Sequence, residues 1–143
     1  MSHEAERAAI VAEARTWLST PWKHQADIKG VGVDCAMLPL AVAKKLGHVP
    51  GDYDPRPYPL NWFVHHEDEL LIHQVERYAH RIEREKLEPA DLILYRFGKC
   101  ASHAAIVIDG DYVIHAYAEQ GNVTLQERRA LERREHSYWS VFT

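Results

Sequence analysis

Cysteine and long apolar runs are both scarce in this sequence, and each scarcity excludes a class of protein. Two cysteines in 143 residues are too few for a disulfide-stapled scaffold. No stretch approaches the ~18 consecutive apolar residues that a membrane-spanning helix needs. The start, MSHEAERAAIVAEARTWL, lacks the basic segment and apolar run of a secretory signal. We therefore expect cytosolic synthesis, free thiols and no membrane span.

Excess positive charge and metal-binding motifs are also missing. The net charge of −4 gives no bulk attraction to nucleic acid or to an anionic membrane. Ten histidines occur, and His66, His73 and His80 would share one face of a predicted helix. Their spacing of seven does not suit a ligand pair, which needs three or four. The sequence therefore predicts no nucleic-acid partner, no metal and no other cofactor.

The size and order of the predicted elements indicate one α+β domain over residues 1–143. Apolar spacing predicts helices over 4–19, 35–46 and about 64–84, joined by loops over 21–34 and 48–62. Strands are predicted over 92–95, 103–108, 112–117, 122–126 and 138–142, with an exposed helix over 127–135. Helices followed by strands favour helices packed on an antiparallel sheet.

The segment GVGVDCAM places a cysteine where its thiol can become reactive. If Asp34 caps the second helix and Gly47 ends it, Cys35 lies at the first helical position. The unpaired N–H groups and the dipole there favour a thiolate and could hold an oxyanion. A buried cysteine that packs as a small hydrophobe is about equally expected.

The segment HAAIVIDGDYVIHAYA predicts a hairpin that pairs two histidines. A three-residue loop with Gly110 in the left-handed conformation sets His103 opposite His115 on one side of the sheet. A two-residue turn would instead put them on opposite faces. In the first register His103 can act as base for the thiol while His115 orients its ring, although either could be a polar residue at a sheet rim.

These segments together resemble the NlpC-type cysteine peptidases, which are papain-like cell-wall hydrolases. The resemblance covers about residues 8–120 and is carried by TPW, GVDC, PADLILY, SHAAIVI and YVIHA. It implies a papain-like α+β fold and a Cys35–His103–His115 triad. It also implies hydrolysis of an amide bond in peptidoglycan stem peptides, typically between D-glutamate and the diamino acid.

The stretches TPWKHQADIKGVGVDC, YPLNW and HEDELL are most similar to the phage-borne branch of that family. This similarity implies a tail-tip component of a phage or a prophage-derived particle, with tail proteins as partners. Such a protein reaches the host cell wall in the virion and needs no signal peptide.

Several residues depart from the pattern of the family. Ala36 and Met37 replace the usual serine-glycine, and Met37 either narrows the cleft or joins the core. Pro39 should distort the start of the helix because it has no N–H for the Cys35 carbonyl. Trp22 replaces a tyrosine and offers only an indole N–H. With Asp34 it is the candidate for oxyanion or substrate binding, and simple packing is the alternative.

Three open points concern the loop, Ala90 and the function. Tyr53, Tyr58 and Trp62 either rim a substrate groove or pack within the Pro-rich loop. Ala90, where the family has glycine, is expected to be a minor change. The alternatives to a peptidase are a structural tail-assembly protein with little activity, and an amidase or acyl transferase with another acyl substrate.

Overall fold

The chain folds into helices packed on one antiparallel sheet, as the sequence predicts. The computed structural model describes residues 3–58 and 69–142. Its helices are α1 (Glu4–Arg15), α2 (Met37–Lys45) and α3 (Leu70–Val75). The strands are β1 (Asp27–Ile28), β2 (Gly32–Val33), β3 (His80–Ile82), β4 (Leu92–Phe97), β5 (Cys100–Val107), β6 (Tyr112–Tyr117), β7 (Asn122–Glu127) and β8 (Glu135–Ser140). The large sheet has the order β3-β8-β4-β5-β6-β7, and β1 pairs with β2.

Both faces of the sheet are covered. Alternating side chains such as Leu94, Ala104 and Ile114 pack with the helices in the main core. Ile93, Tyr95, Ala105, Val107 and Val113 form a second cluster on the other face. A 3-10 helix, Arg128–Arg134, contributes Leu131 to that second cluster. Strand β5 is therefore buried along its whole length. None of the described helices is long and apolar enough to cross a membrane.

The helix expected over about 64–84 is wrong in its second half. Helix α3 ends at Val75, and His80–Ile82 is an edge strand that pairs with β8. His73 and His80 therefore do not share a helix face, and His66 lies outside the described residues. The apolar period continues past the helix because Tyr78, in the turn after α3, also packs on the main core, whereas no residue of β3 is buried.

The predicted register of the β5–β6 hairpin is also wrong. The observed pairs are Ile106↔Ile114 and Val107↔Val113, so the loop has five residues, 108–112. The carboxylate of Asp109 closes it by accepting from the backbone N–H groups of Asp111 (2.8 Å) and Tyr112 (2.9 Å).

The two histidines lie on the same side of the sheet, as predicted, in spite of this different register. Gly110 does not adopt the expected positive φ, since Asp109 closes the loop instead. The register differs from the predicted one by two residues, and side chains alternate with period two. His103 and His115 therefore stay on the same side of the sheet, as diagonal neighbours.

The turn before β4 carries a buried ion pair that ties α1 to the sheet. Asp91 is 1% exposed, and its Oδ1 accepts from Arg7 at 2.8 Å while its Oδ2 accepts from the Glu88 N–H at 2.9 Å. Ala90, just before it, has φ 79°, a left-handed conformation that costs an alanine about 1 kcal/mol relative to glycine. The departure at position 90 is therefore not minor for the backbone, although the methyl group is buried.

We expect Asp91→Asn to lower the free energy of unfolding by about 2–3 kcal/mol, because the partly buried Arg7 charge loses its buried partner and, among the described residues, keeps only the exposed Glu88 at 3.4 Å as an ion-pair partner. Urea unfolding followed by circular dichroism measures the loss. The matched control is Glu132→Gln, which removes an exposed ion pair with Arg84 and should cost less than about 1 kcal/mol. Equal losses in the two variants would contradict the role given to Asp91.

Candidate active site

A buried carboxylate organises the start of α2. Asp34 is 2% exposed, and its Oδ1 accepts from the N–H groups of Ala36 (3.2 Å) and Met37 (2.9 Å). Its Oδ2 accepts from the Gln25 N–H (2.7 Å) and the Tyr58 hydroxyl (2.6 Å). The side chain of Asp34 therefore caps this turn as predicted, although Ala36 rather than Asp34 directly precedes the helix.

The first turn after this cap is irregular, as expected from Pro39. The Asp34 carbonyl accepts from the Leu38 N–H at 3.1 Å, but Pro39 has no N–H to offer the Cys35 carbonyl. Helix α2 consequently begins at Met37, two residues later than predicted. Met37 is fully buried in the main core, which excludes the alternative that it narrows a cleft.

Cys35 is a free, half-buried thiol that donates to the Ser102 carbonyl oxygen at 3.5 Å. Burial raises the pKa of this thiol to about 12, and the negative charge of Asp34 also raises it. Backbone N–H groups at Cys35, Ala36 and Ala104 lower the pKa but are outweighed. The helix start therefore lowers the thiol pKa as expected, but burial and Asp34 raise it by more.

A β-bulge brings strand β5 to the thiol. Tyr95 pairs with His103, but the next residue on β4, Arg96, pairs with Ala101, so Ser102 is an extra residue on β5. The Ser102 hydroxyl donates to the Phe97 carbonyl at 3.0 Å. A bulge locally redirects the strand, and here its carbonyl meets Cys35.

The two histidines form a buried pair. His103 Nε2 lies 2.8 Å from His115 Nδ1, and the side chains are 6% and 0% exposed. Burial and the neighbouring His115 hold the pKa of His103 well below its usual range. Burial lowers the pKa of His115 to about 4. Both imidazoles are therefore neutral at pH 7.

This hydrogen bond fixes which nitrogens can carry protons. His103 uses Nε2 toward His115, which leaves its Nδ1 for a proton from a reacting group. An Nδ1 that accepts requires the proton of neutral His103 on Nε2, donated to His115 Nδ1. His115 then carries its own proton on Nε2, a buried atom without a hydrogen-bond partner among the described residues.

Aromatic rings hold the histidine pair in place. Tyr95, Phe97 and Tyr117 contact the His103 ring with centroids 5.5–5.6 Å apart. His115 stacks on Tyr117 at 4.8 Å and 14°. These contacts were not predicted, since they depend on the sheet register and the bulge.

The thiol and His103 line one cavity of about 300 Å³ with two walls. The helix-side wall consists of Trp22, His24, Asp34, Cys35, Ala36 and Tyr58. The sheet-side wall consists of Phe97, Ser102, His103, Ala116, Tyr117 and the 118–119 segment. Four of the five residues singled out in the sequence thus meet in one cavity, and the fifth, His115, lies behind His103.

The sequence did not single out Tyr58 as a partner of the capping aspartate. Its hydroxyl donates to Asp34, and its carbonyl lies 3.0 Å from His24 Nε2. Burial and the nearby Asp34 charge raise the pKa of Tyr58 far above its usual range. Tyr58 therefore belongs to the cavity, whereas Tyr53 packs on Tyr78 and Trp62 lies outside the described residues.

Solved structures of NlpC/p60 domains share this architecture. The NlpC/p60 domain of the peptidoglycan hydrolase SagA is 20% identical, with a TM-score of 0.67 over 94% of this chain and 97% of that chain. The chain has the NlpC/p60 fold. An NlpC/P60 family protein from Bacillus cereus ATCC 10987 is 18% identical, with a TM-score of 0.67 over 92% of this chain and 39% of that one. The peptidoglycan hydrolase RipB from Mycobacterium tuberculosis is 16% identical, with a TM-score of 0.66 over 98% of this chain and 66% of that one.

The likeness to these NlpC/p60 structures lies in the backbone rather than in the sequence. No family model and no curated protein sequence matches the chain. In residues 3–58 and 69–142, no group of three or more His, Cys, Asp or Glu side chains is arranged to hold a metal ion.

We expect Cys35 to react slowly with iodoacetamide at pH 7 and faster at each step toward pH 9.5. The thiolate is the reactive form, and a pKa of about 12 leaves little of it at neutral pH. In a Cys100→Ala background, alkylation of Cys35 followed by mass spectrometry should be at least about tenfold slower at pH 7 than alkylation of free cysteine. A rate that is already at a plateau between pH 5 and 7 would contradict the neutral thiol.

Proposed function

We propose that this protein is a cysteine peptidase that hydrolyses an amide bond in peptidoglycan stem peptides. The observation that carries the proposal is the shared cavity of Cys35 and the His103–His115 pair. The fold supports it, since structures with the same fold include the peptidoglycan hydrolases SagA and RipB.

In the proposed reaction, His103 Nδ1 takes the proton of the Cys35 thiol as the sulfur attacks the substrate carbonyl carbon. The backbone N–H of Cys35, which Asp34 does not use, stabilises the oxyanion. The intermediate collapses to a thioester, and His103 returns the proton to the leaving amine. His103 then deprotonates a water molecule that attacks the thioester, which regenerates the thiol and releases the acid.

The electrostatics of the cavity make the transfer of the thiol proton to His103 depend on a bound substrate. The raised pKa of Cys35 and the lowered pKa of His103 both favour the neutral pair at rest. The proton therefore moves as the carbon–sulfur bond forms, when negative charge shifts from sulfur to the carbonyl oxygen. His115 supports the imidazolium that results by accepting the hydrogen bond from Nε2.

The bond and the location are finer parts of the proposal. We propose cleavage between D-glutamate and the diamino acid, in a tail-tip component of a phage or prophage-derived particle that reaches the host wall with the virion. The bond is supported by the resemblance of the chain to the NlpC-type family, and the location by the resemblance of the segments around Trp22 and Cys35 to its phage-borne branch. Muropeptide analysis identifies the bond, and mass spectrometry of purified particles tests the location.

A second candidate function is a structural tail-assembly protein with little activity. The observation in its favour is the high thiol pKa of Cys35 beside a carboxylate. The assembly function differs from the peptidase function in one measurable respect. A peptidase must turn over stem peptides despite slow alkylation, whereas an assembly protein is slow in both assays.

We expect Cys35→Ala to abolish cleavage of diaminopimelate-type sacculi, because the variant has no nucleophile. Released muropeptides are identified by mass spectrometry after incubation with each purified protein. The matched control is Cys100→Ala, since Cys100 is buried in the core rather than in the cavity. Retained cleavage in Cys35→Ala would sink the proposed mechanism.

His115→Ala should lower kcat/KM by roughly 10²- to 10⁴-fold, because His103 loses the acceptor that fixes its tautomer. His115→Asn should stay within about tenfold of the native protein, since the amide oxygen can accept in place of Nδ1. His73→Ala, at an exposed position, serves as the control. Equal losses in the Ala and Asn variants would show that His115 acts by packing alone.

A further inference from the structure

Two opposite charges lie beside a pair of aromatic side chains on the sheet-side wall of the cavity. The Tyr117 hydroxyl donates to Glu119 Oε2 at 3.0 Å, so this exposed carboxylate is held at the cavity lining. The Arg134 guanidinium lies over the ring of Phe97, 4.6 Å from its centroid. Phe97 and Tyr117 contact each other and both line the cavity.

Each of these charged side chains contacts an aromatic ring system but is not neutralised by an opposite charge from the described residues. In the described part of the chain, neither Glu119 nor Arg134 forms an ion pair. Arg134 otherwise makes only a long contact, 3.5 Å, to the Arg96 carbonyl. Both charges act on the Tyr117 hydroxyl, since Glu119 raises its pKa and Arg134 lowers it.

Two nearby arginines are paired within the fold. Arg128 is bound to Glu135, and Arg84, from a different segment, is bound to Glu132. Arg134 ends the 128–134 segment and lies over the aromatic wall instead. A guanidinium stacked on a ring keeps its edge N–H groups available for a carboxylate.

The mechanism decides which part of a substrate meets this wall. His103 returns its proton to the leaving amine, so the amine side of the scissile bond must lie on the wall that carries His103. That wall also carries Phe97, Tyr117 and Glu119. In a stem peptide cut before the diamino acid, the residue placed there is the diamino acid itself.

We propose that Glu119 and Arg134 form a subsite for a zwitterionic amino-acid head group, an ammonium and a carboxylate on one carbon, carried by the leaving side of the substrate. Glu119 takes the ammonium and Arg134 takes the carboxylate, while Tyr117 and Phe97 support the carbon chain that leads to this head group. The distal centre of diaminopimelate has this chemistry, and lysine, which lacks the carboxylate, does not. This inference rests on the proposed function.

The test compares L-alanyl-γ-D-glutamyl-diaminopimelate with the same peptide whose distal carboxylate is a carboxamide. The native protein should prefer the carboxylate by about tenfold in kcat/KM. Arg134→Gln should bring this preference close to one, chiefly by slowing the carboxylate peptide. Arg133→Gln, an equal charge change at the adjacent exposed residue, should keep the preference.

A second comparison tests Glu119. With the distal amine acetylated, the peptide should react about fivefold more slowly in the native protein. Glu119→Gln should remove this difference, whereas Glu85→Gln, at an exposed position away from the cavity, should not. Equal losses on both peptides, or equal effects of the paired variants, would overturn the subsite.

Binding separates a failure of the subsite from a failure of the proposed function. Calorimetric titration of the Cys35→Ala protein with the two diaminopimelate peptides needs no catalysis. Tighter binding of the carboxylate peptide, lost on adding Arg134→Gln, supports the subsite even if the native protein cleaves neither peptide. Binding without preference, or no binding at all, overturns the subsite whatever the activity.

Discussion

The buried carboxylate of Asp34 is the interaction on which the cavity depends. It caps the start of α2 through Ala36 and Met37, and it also holds Gln25 and Tyr58 from the two flanking loops. A carboxylate can accept this many bonds when it is ionised, and four donors offset much of the cost of burying it. The same charge stands next to the Cys35 thiol, so the group that shapes the cavity also opposes a thiolate there.

Burial has the same double effect on the histidines. The rings of Tyr95, Phe97 and Tyr117 fix the orientation of His103, but they also exclude the water that would stabilise an imidazolium. The resting site is consequently a neutral thiol beside neutral imidazoles, and reactivity must come from a bound carbonyl that accepts the negative charge. The fold positions the thiol and the imidazoles before a substrate binds, whereas ionisation of the thiol requires the bound substrate.

The sequence carries the local features of this site better than its long-range geometry. Asp34 as a cap, Pro39 as a disruption and the period-two strands all follow from nearest-neighbour physics, and all three are observed. The hairpin register was missed because Asp109 closes a longer loop through its side chain. Ser102 as a bulge was not foreseeable either, since a bulge appears only once β4 and β5 are paired.

The replacement of tyrosine by tryptophan at position 22 shows that a residue's role in the cavity depends on its contacts and not only on its place in the sequence. The family resemblance implies a hydroxyl donor there, and Trp22 cannot supply one. Tyr58 brings a hydroxyl into the same cavity from the Pro-rich loop, but this hydroxyl is bound to Asp34. It cannot serve an oxyanion without giving up that bond. The backbone N–H of Cys35, which Asp34 does not use, is therefore the better placed donor, and Trp22 is left to shape the wall.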